Sequence, residues 1–441
     1  MVIFDSQLTF VPNFEKPAWN PCGLSNLTHM TKLYSSLNIR FSVFPRLYFL
    51  VLFTILVTPV VNFAQDHSHD APAGEVHDVV EGVLKEEEEF KMNDLIFNHI
   101  NNSNDFHIFG HIAVPLPCIL YSKEDGWTMF MSSKLEHGHK AYNRYVLDEG
   151  IVKRLPADFP DKGHVEIGHI KHTKEGSVEI ATLEHQGKEY TLEKASAFTG
   201  MTSFYDFSIS KVVFSMLLAA ILLVILFLSI SKAYRNRSGQ APRGLQNLIE
   251  IIVLFIIDEV AKPMLGDRYQ KHLPFILTIF FFILVCNLMG LIPFFPFSAN
   301  ITGNIAVTMA LAVMTFLVTN ILGNGNYWKH IFWMPGVPPA MKLFLAPIEF
   351  LGVFIKPVSL MIRLFANITA GHIIILSLIG LIFVFGKVGA SMGGAIAGTA
   401  LAIPFTLFLN VIEFIVAFIQ AFIFAILSAS YIGAATEEAH H

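Results

Sequence analysis

Two apolar stretches near the C-terminus set the tightest limit on what this chain can become. The first runs from about residue 342 to 385, the second from about 396 to 433. A helix of about 40 residues extends roughly 60 Å at ~1.5 Å per residue, whereas the hydrocarbon core of a bilayer is only about 30 Å thick. Each stretch must therefore tilt steeply, bend or break, and Pro347, Pro357 and Pro404 are the candidate bends. Composition agrees with lipid as the solvent: 15% of residues are charged, against about 25% in ordinary soluble domains.

Further apolar runs lie upstream. Residues 207–230 suffice for one spanning helix, and Lys232, Arg235, Arg237 and Arg243 follow it. Cytoplasmic flanks collect Lys and Arg, so this helix is expected to run from outside to inside. Residues 245–265 are apolar but carry Glu250, Asp258 and Glu259, which suits a helix at the interface or one buried against others. Residues 273–292 and 304–322 are two more spans, joined by "PFFPFSANITGN", a stretch with the Pro, Asn and Gly of a turn. Counting the long stretches once each gives five crossings, and counting them as hairpins gives seven. Either count leaves the tail in the cytoplasm.

The N-terminal half is different. Arg40 and Arg46 precede a short apolar run, Leu47 to Val61, followed by "NFAQ" and an abrupt polar switch. That order describes a secretory signal within residues 1–64, with an uncleaved membrane anchor as the alternative. Residues 65–205 then form an extracytoplasmic domain and residues 206–441 the membrane domain. Within the polar part, residues 75–100 read as a charged run leading into an amphipathic helix. Residues 106–190 alternate with a period of two and carry turn signals, which argues short β-strands. Twelve of the 18 histidines fall between His67 and His185, but no HxxxH or HExxH pattern fixes a ligand set. Cys22, Cys118 and Cys286 are far apart with no CxxC, so neither a disulfide framework nor a zinc site is expected. The net charge of -5 gives no reason to expect nucleic acid binding. The fold class is thus an all-α polytopic membrane protein with two long tilted helices near the C-terminus, plus a small β-rich extracytoplasmic domain.

One residue is out of place in the grease. Between Lys356 and Lys387 the only formal charge is Arg363. A charge at bilayer depth costs about 2.5–3.5 kcal/mol on insertion scales, so it is expected to face a cavity or an acid. If the helix began at Pro357 the side chain would instead snorkel to the interface. At ~100° per residue, Glu349 and Asn367 lie within about 40° of Arg363, whereas His372 points about 180° away. Glu413 and Gln420, seven residues apart on the second stretch, share a face. If the two helices pack antiparallel with Arg363 near Gln420, His372 arrives at the depth of Glu413. A His–Glu pair there reads either as a proton-handling group, each shifting the other's pKa, or as a static buried ion pair.

Residues 200–437 resemble subunit a of the F-type ATP synthase. The resemblance rests on "KPVSLMIRLFANITAGH" from Lys356, "NLMGLIP" at 287–293, "NIAVTMAL" at 304–311 and "QAFIFAILSASYIGAATEE" at 420–438. It implies that Arg363 is the essential arginine facing the rotor ring, with Asn367 and Gln420 beside it. By the same resemblance Glu349 lies on the cytoplasmic access path, and His372 and Glu413 line the outer half-channel. Many bacterial members carry Glu and His in the reverse order at these last two positions, whereas mitochondrial-type members are similar to this chain. Gly290 and Ala366 depart from the usual acid and glycine. The implied partners are the c-subunit ring, the b subunits of the peripheral stalk and the soluble F1 head, in a bacterial inner membrane. No cofactor, metal or ATP site is expected in the chain itself.

Overall fold

A computed structural model describes residues 102–437, apart from residues 110–111, 149, 160–162, 169, 176–177, 186, 196–203, 237–239, 293–295, 298, 335 and 387–390. The expected signal and the amphipathic helix of residues 75–100 lie outside the described residues.

Residues 105–206 fold into short antiparallel strands arranged as three layers over a small hairpin. The hairpin is β1 (Asp105–Phe109) with β2 (Ile112–Pro115). One outer layer is a three-stranded sheet of β13 (Phe204–Asp206), β3 (Pro117–Ser122) and β4 (Gly126–Met131). The other contains β9 (Ile170–Glu175), β10 (Val178–His185) and β11 (Lys188–Thr191). Between them lies a five-stranded sheet ordered β12-β7-β6-β5-β8. Its strands are β5 (Lys140–Tyr142), β6 (Tyr145–Asp148), β7 (Ile151–Arg154), β8 (His164–Glu166) and β12 (Glu193–Lys194).

The burial of β6 explains the layering. All four of its residues are buried, because Tyr145 and Leu147 face one apolar cluster with Leu120, Phe130 and Phe204, while Val146 faces another with Leu183 and Tyr190. A strand covered on both faces needs no polar alternation. The turn from β5 to β6 is two residues, Asn143 and Arg144, both at positive φ (49° and 67°). Such hairpin turns favour Asn followed by Gly. Arg144 holds the glycine position, and its guanidinium, with that of Arg154, grips Glu124 and Asp125 at the tip of the β3–β4 hairpin.

The β-layers are fastened directly to the first membrane helix, α1 (Lys211–Asn236). Asn102 donates to Ser210 Oγ at 2.9 Å and accepts from the Val212 amide at 3.0 Å, so a residue over a hundred positions upstream caps the helix. Phe106 and Leu116 belong to the same apolar core as Val213 and Met216.

Among the described residues, five helical segments have the length and composition to cross a membrane, which matches the lower of the two counts read from the sequence. After α1 come α2 (Leu245–Ile256), a π-helical turn at Ile257–Ala261, α3 (Lys262–Leu265) and α4 (Tyr269–Gly290), forming one segment with α2 partly exposed and its later part buried. Then follow α5 (Ile305–Leu322), the short α6 (Gly325–Phe332), α7 (Pro339–Phe385) and α8 (Met392–Thr436). The long stretches are single helices of 47 and 45 residues, running unbroken through Pro347, Pro357 and Pro404. Each proline removes one backbone donor, a loss that neighbouring helices make tolerable in a membrane. Of the three sequence options, tilting or bending remains and breaking does not.

Candidate functional site

The site is built on the hairpin of α7 and α8. Touching pairs fix its sense: Gly398 meets Ile382 and Phe385, Gly371 meets Glu413, and Lys356 sits over the Tyr431 ring at 5.6 Å. Residue numbers fall on one helix as they rise on the other, so the two run antiparallel. Gly394 allows the tight return, since a Cβ there would overlap the Phe385 carbonyl.

Arg363 lies near the middle of α7, about 36 Å from its first residue at ~1.5 Å per residue. The helix begins at Pro339 rather than Pro357, so the snorkelling alternative loses its geometric basis. The side chain is exposed on the outer surface, as is that of Asn367 one turn on. Among the described residues Arg363 forms no ion pair. Only 11% of the most apolar window of α7 is covered by the rest of the chain, and Phe354, Ile355, Val358 and Ile362, on the turns that precede Arg363, are exposed. An unpaired cation on a bare apolar surface is suited to a carboxylate supplied from outside the chain.

Gln420 is buried on α8, and Glu349 is half-buried in the first third of α7, close enough to Tyr327 for its charge to act on the phenol. Glu413 is buried, 7% exposed, and packs on Gly371: a Cβ there would stand 3.0 Å from Oε1. His372 is the next residue and is half-buried. The antiparallel hairpin thus brings His372 and Glu413 to one depth, away from the surface that carries Arg363 and Asn367. Glu413 Oε2 is buried and makes no hydrogen bond within the described residues.

Two groups of functional interest were missed by sequence reasoning. Asn287 on α4 donates to the Ala417 carbonyl at 3.1 Å and accepts from Thr302 Oγ1 at 2.6 Å, while Thr369 donates to the Gly303 carbonyl at 3.4 Å. This network pins α8 one turn beyond Glu413 and α7 one turn before His372. The available signal was a lone Asn in the apolar run of residues 273–292. The second group lines a cavity of about 20 Å³ between α5, α6, α7 and α8, with Thr319, Asn320, Tyr327, Lys356 and Tyr431 in its wall. Thr319 Oγ1 and Asn320 Oδ1 are buried with no hydrogen-bond partner among the described residues, and the space is enough for about one water molecule. No spacing rule joins four helices in advance.

A multi-pass membrane protein with an unpaired arginine midway along an outward-facing helical hairpin, and a buried carboxylate behind it, is a membrane subunit equipped for ion transfer. The family model of the ATP synthase A chain matches residues 213–433, and the chain belongs to that family. It is 43% identical over 243 residues to ATP synthase subunit a of Chloroherpeton thalassium, covering 54% of this chain and 69% of that one. It is 46% identical over 238 residues to ATP synthase subunit a 2 of Chlorobaculum tepidum (53% and 64%) and 40% over 244 residues to ATP synthase subunit a of Myxococcus xanthus (54% and 75%). Residues 95–195 match a second family model, described only as a domain of unknown function. As a family member the chain is a proton-translocating stator subunit of the F0 sector and a multi-pass membrane protein of the F-type ATP synthase complex.

Proposed function

We propose that this chain carries protons to and from the carboxylates of a rotating c-ring through two half-channels that do not meet. A proton enters from the side of the β-domain, passes His372 and Glu413, and neutralises a ring carboxylate. The neutral group can then enter lipid, because the cost of burying a charge is gone. After nearly a full turn it reaches the second path, where Glu349 and the water-sized cavity beside Lys356 receive its proton. Arg363 favours the ionised carboxylate at the interface by Coulomb attraction and stands between the two paths. Its guanidinium keeps its charge throughout the cycle, as arginine side chains do in proteins. Asn367 and Gln420 flank this contact.

The position of Arg363, central, outward-facing and unpaired within the described residues, is the observation that carries the reading. Arg363→Ala membranes are expected to lose proton-coupled ATP synthesis while still assembling with the ring, and Arg363→Lys to lose much of it. Retained coupling in the alanine variant would overturn the assignment. The same proposal places the β-domain outside the cytoplasm of a bacterial inner membrane and the C-terminus inside. The basic cluster after α1 supports that orientation, and the c-ring, the b subunits and the F1 head are the expected partners.

A further inference from the structure

The outer face of the β13-β3-β4 sheet carries no polar alternation. On β3 the inward positions Cys118, Leu120 and Ser122 are buried, and Pro117, Ile119 and Tyr121 point the other way. On β4 the outward residues are Trp127, Met129 and Met131, exposed by 59%, 69% and 43%. Tyr205 pairs with Tyr121, and Phe207 continues the strand. The rings of Trp127, Tyr121 and Phe207 lie within 5.1–5.7 Å of one another in successive pairs, which sets them on one surface. A one-sided antiparallel sheet normally turns polar residues to water, and here every outward position is aromatic, aliphatic or sulfur-bearing.

The face is also ordered along its length. Its base row is Pro117 and Met131, and the Pro117 carbonyl accepts from the Ile209 amide, two residues before α1 begins. The next row is Ile119 and Met129, where Phe207 joins through its amide. The third row is Tyr121, Trp127 and Tyr205, and beyond it the tip carries Lys123, Glu124 and Asp125. Rows two residues apart stand about 6.6 Å from each other. Moving away from the membrane helix, the surface changes from apolar to Trp and Tyr within about 13 Å and to charged within about 20 Å. That is the order of environments met on leaving a bilayer, where Trp and Tyr concentrate at headgroup level. A protein partner would require apolar cover but gives no reason for this gradient.

We propose that this sheet face seats in the interfacial zone of the bilayer on the side of the β-domain, continuing the lipid-facing surface of α1. The domain is thereby braced against the membrane at the point where Asn102 caps the helix. The test uses the assembled complex in proteoliposomes of phosphatidylcholine, with and without brominated acyl chains. The difference between wild-type and Trp127→Phe emission isolates Trp127, which is expected to be quenched by the brominated lipid and shielded from aqueous acrylamide. A nitroxide on Met129→Cys provides an independent probe, with oxygen expected to relax it more strongly than a water-soluble nickel chelate. Acrylamide quenching of Trp127 with nickel dominating at residue 129 would overturn the proposal in favour of an open face. Shielding from both lipid and water, with crosslinking from Met131→Cys to another subunit, would overturn it in favour of a protein partner.

Discussion

Single side chains show how little space the proposed outer path has. Gly371 gives close room to the Glu413 carboxylate packed on it: a Cβ would stand 3.0 Å from Oε1, so the carboxylate would have to shift by a few tenths of an ångström. Gly371→Ala should therefore displace Glu413 while sparing assembly. Proton-coupled ATP synthesis is expected to fall about tenfold, equivalent to ~1.4 kcal/mol on a barrier, with ring copurification unchanged. The pairing of His372 with Glu413 is tested by exchange. His372→Glu and Glu413→His should each abolish most coupling, and the double variant should recover a substantial part. Recovery no greater than additivity would argue that the two act independently.

Among the elements, the β3–β4 hairpin is held at its tip by charge. The hydrogen bond from Arg144, together with the nearby charge of Arg154, keeps Glu124 below the ordinary carboxylate range. A carboxyl whose folded value lies below its unfolded value of about 4.3 stabilises the fold fully above that pH. Its contribution drains away as pH falls through the depressed value. Thermal melting of the β-domain in the purified complex should thus be flat in this respect from pH 5 to 8 and fall below pH 4. Glu124→Gln should lessen that acid dependence. A variant with an unchanged acid limb would remove Glu124 from the account. The long helices make a related point: Pro347, Pro357 and Pro404 read locally as interruptions, yet lie inside unbroken helices. Packing between α7 and α8 overrides a local preference that depends on neighbours the sequence does not name.

For the whole molecule, the proposed topology has one crossing for each of the five apolar helical segments among the described residues, an odd number that would set the β-domain and the C-terminus on opposite sides of the membrane. A cysteine in place of exposed Gly187, in the β10–β11 turn, should react with an impermeant maleimide from outside intact cells. One in place of Glu437 should react only after permeabilisation, and labelling of both from one side would refute the topology.

The sequence was enough to mark the apolar spans, the alternating strands, the charge at Arg363 and the helical faces that separate it from His372, because each rests on local period and composition. It also placed Glu413 at the depth of His372 on the assumption of antiparallel packing, and the hairpin supplies that packing. Tertiary structure decided the rest. It set the five long apolar helices among the described residues, the central position of Arg363 in a helix starting at Pro339, and the Asn287 and Thr319–Asn320 groups drawn from separate helices. It also set the two-sided burial of β6 and the bare outer face of β3 and β4. In each case the deciding contacts join residues far apart in the chain. Their partners are chosen by packing, which no local pattern encodes.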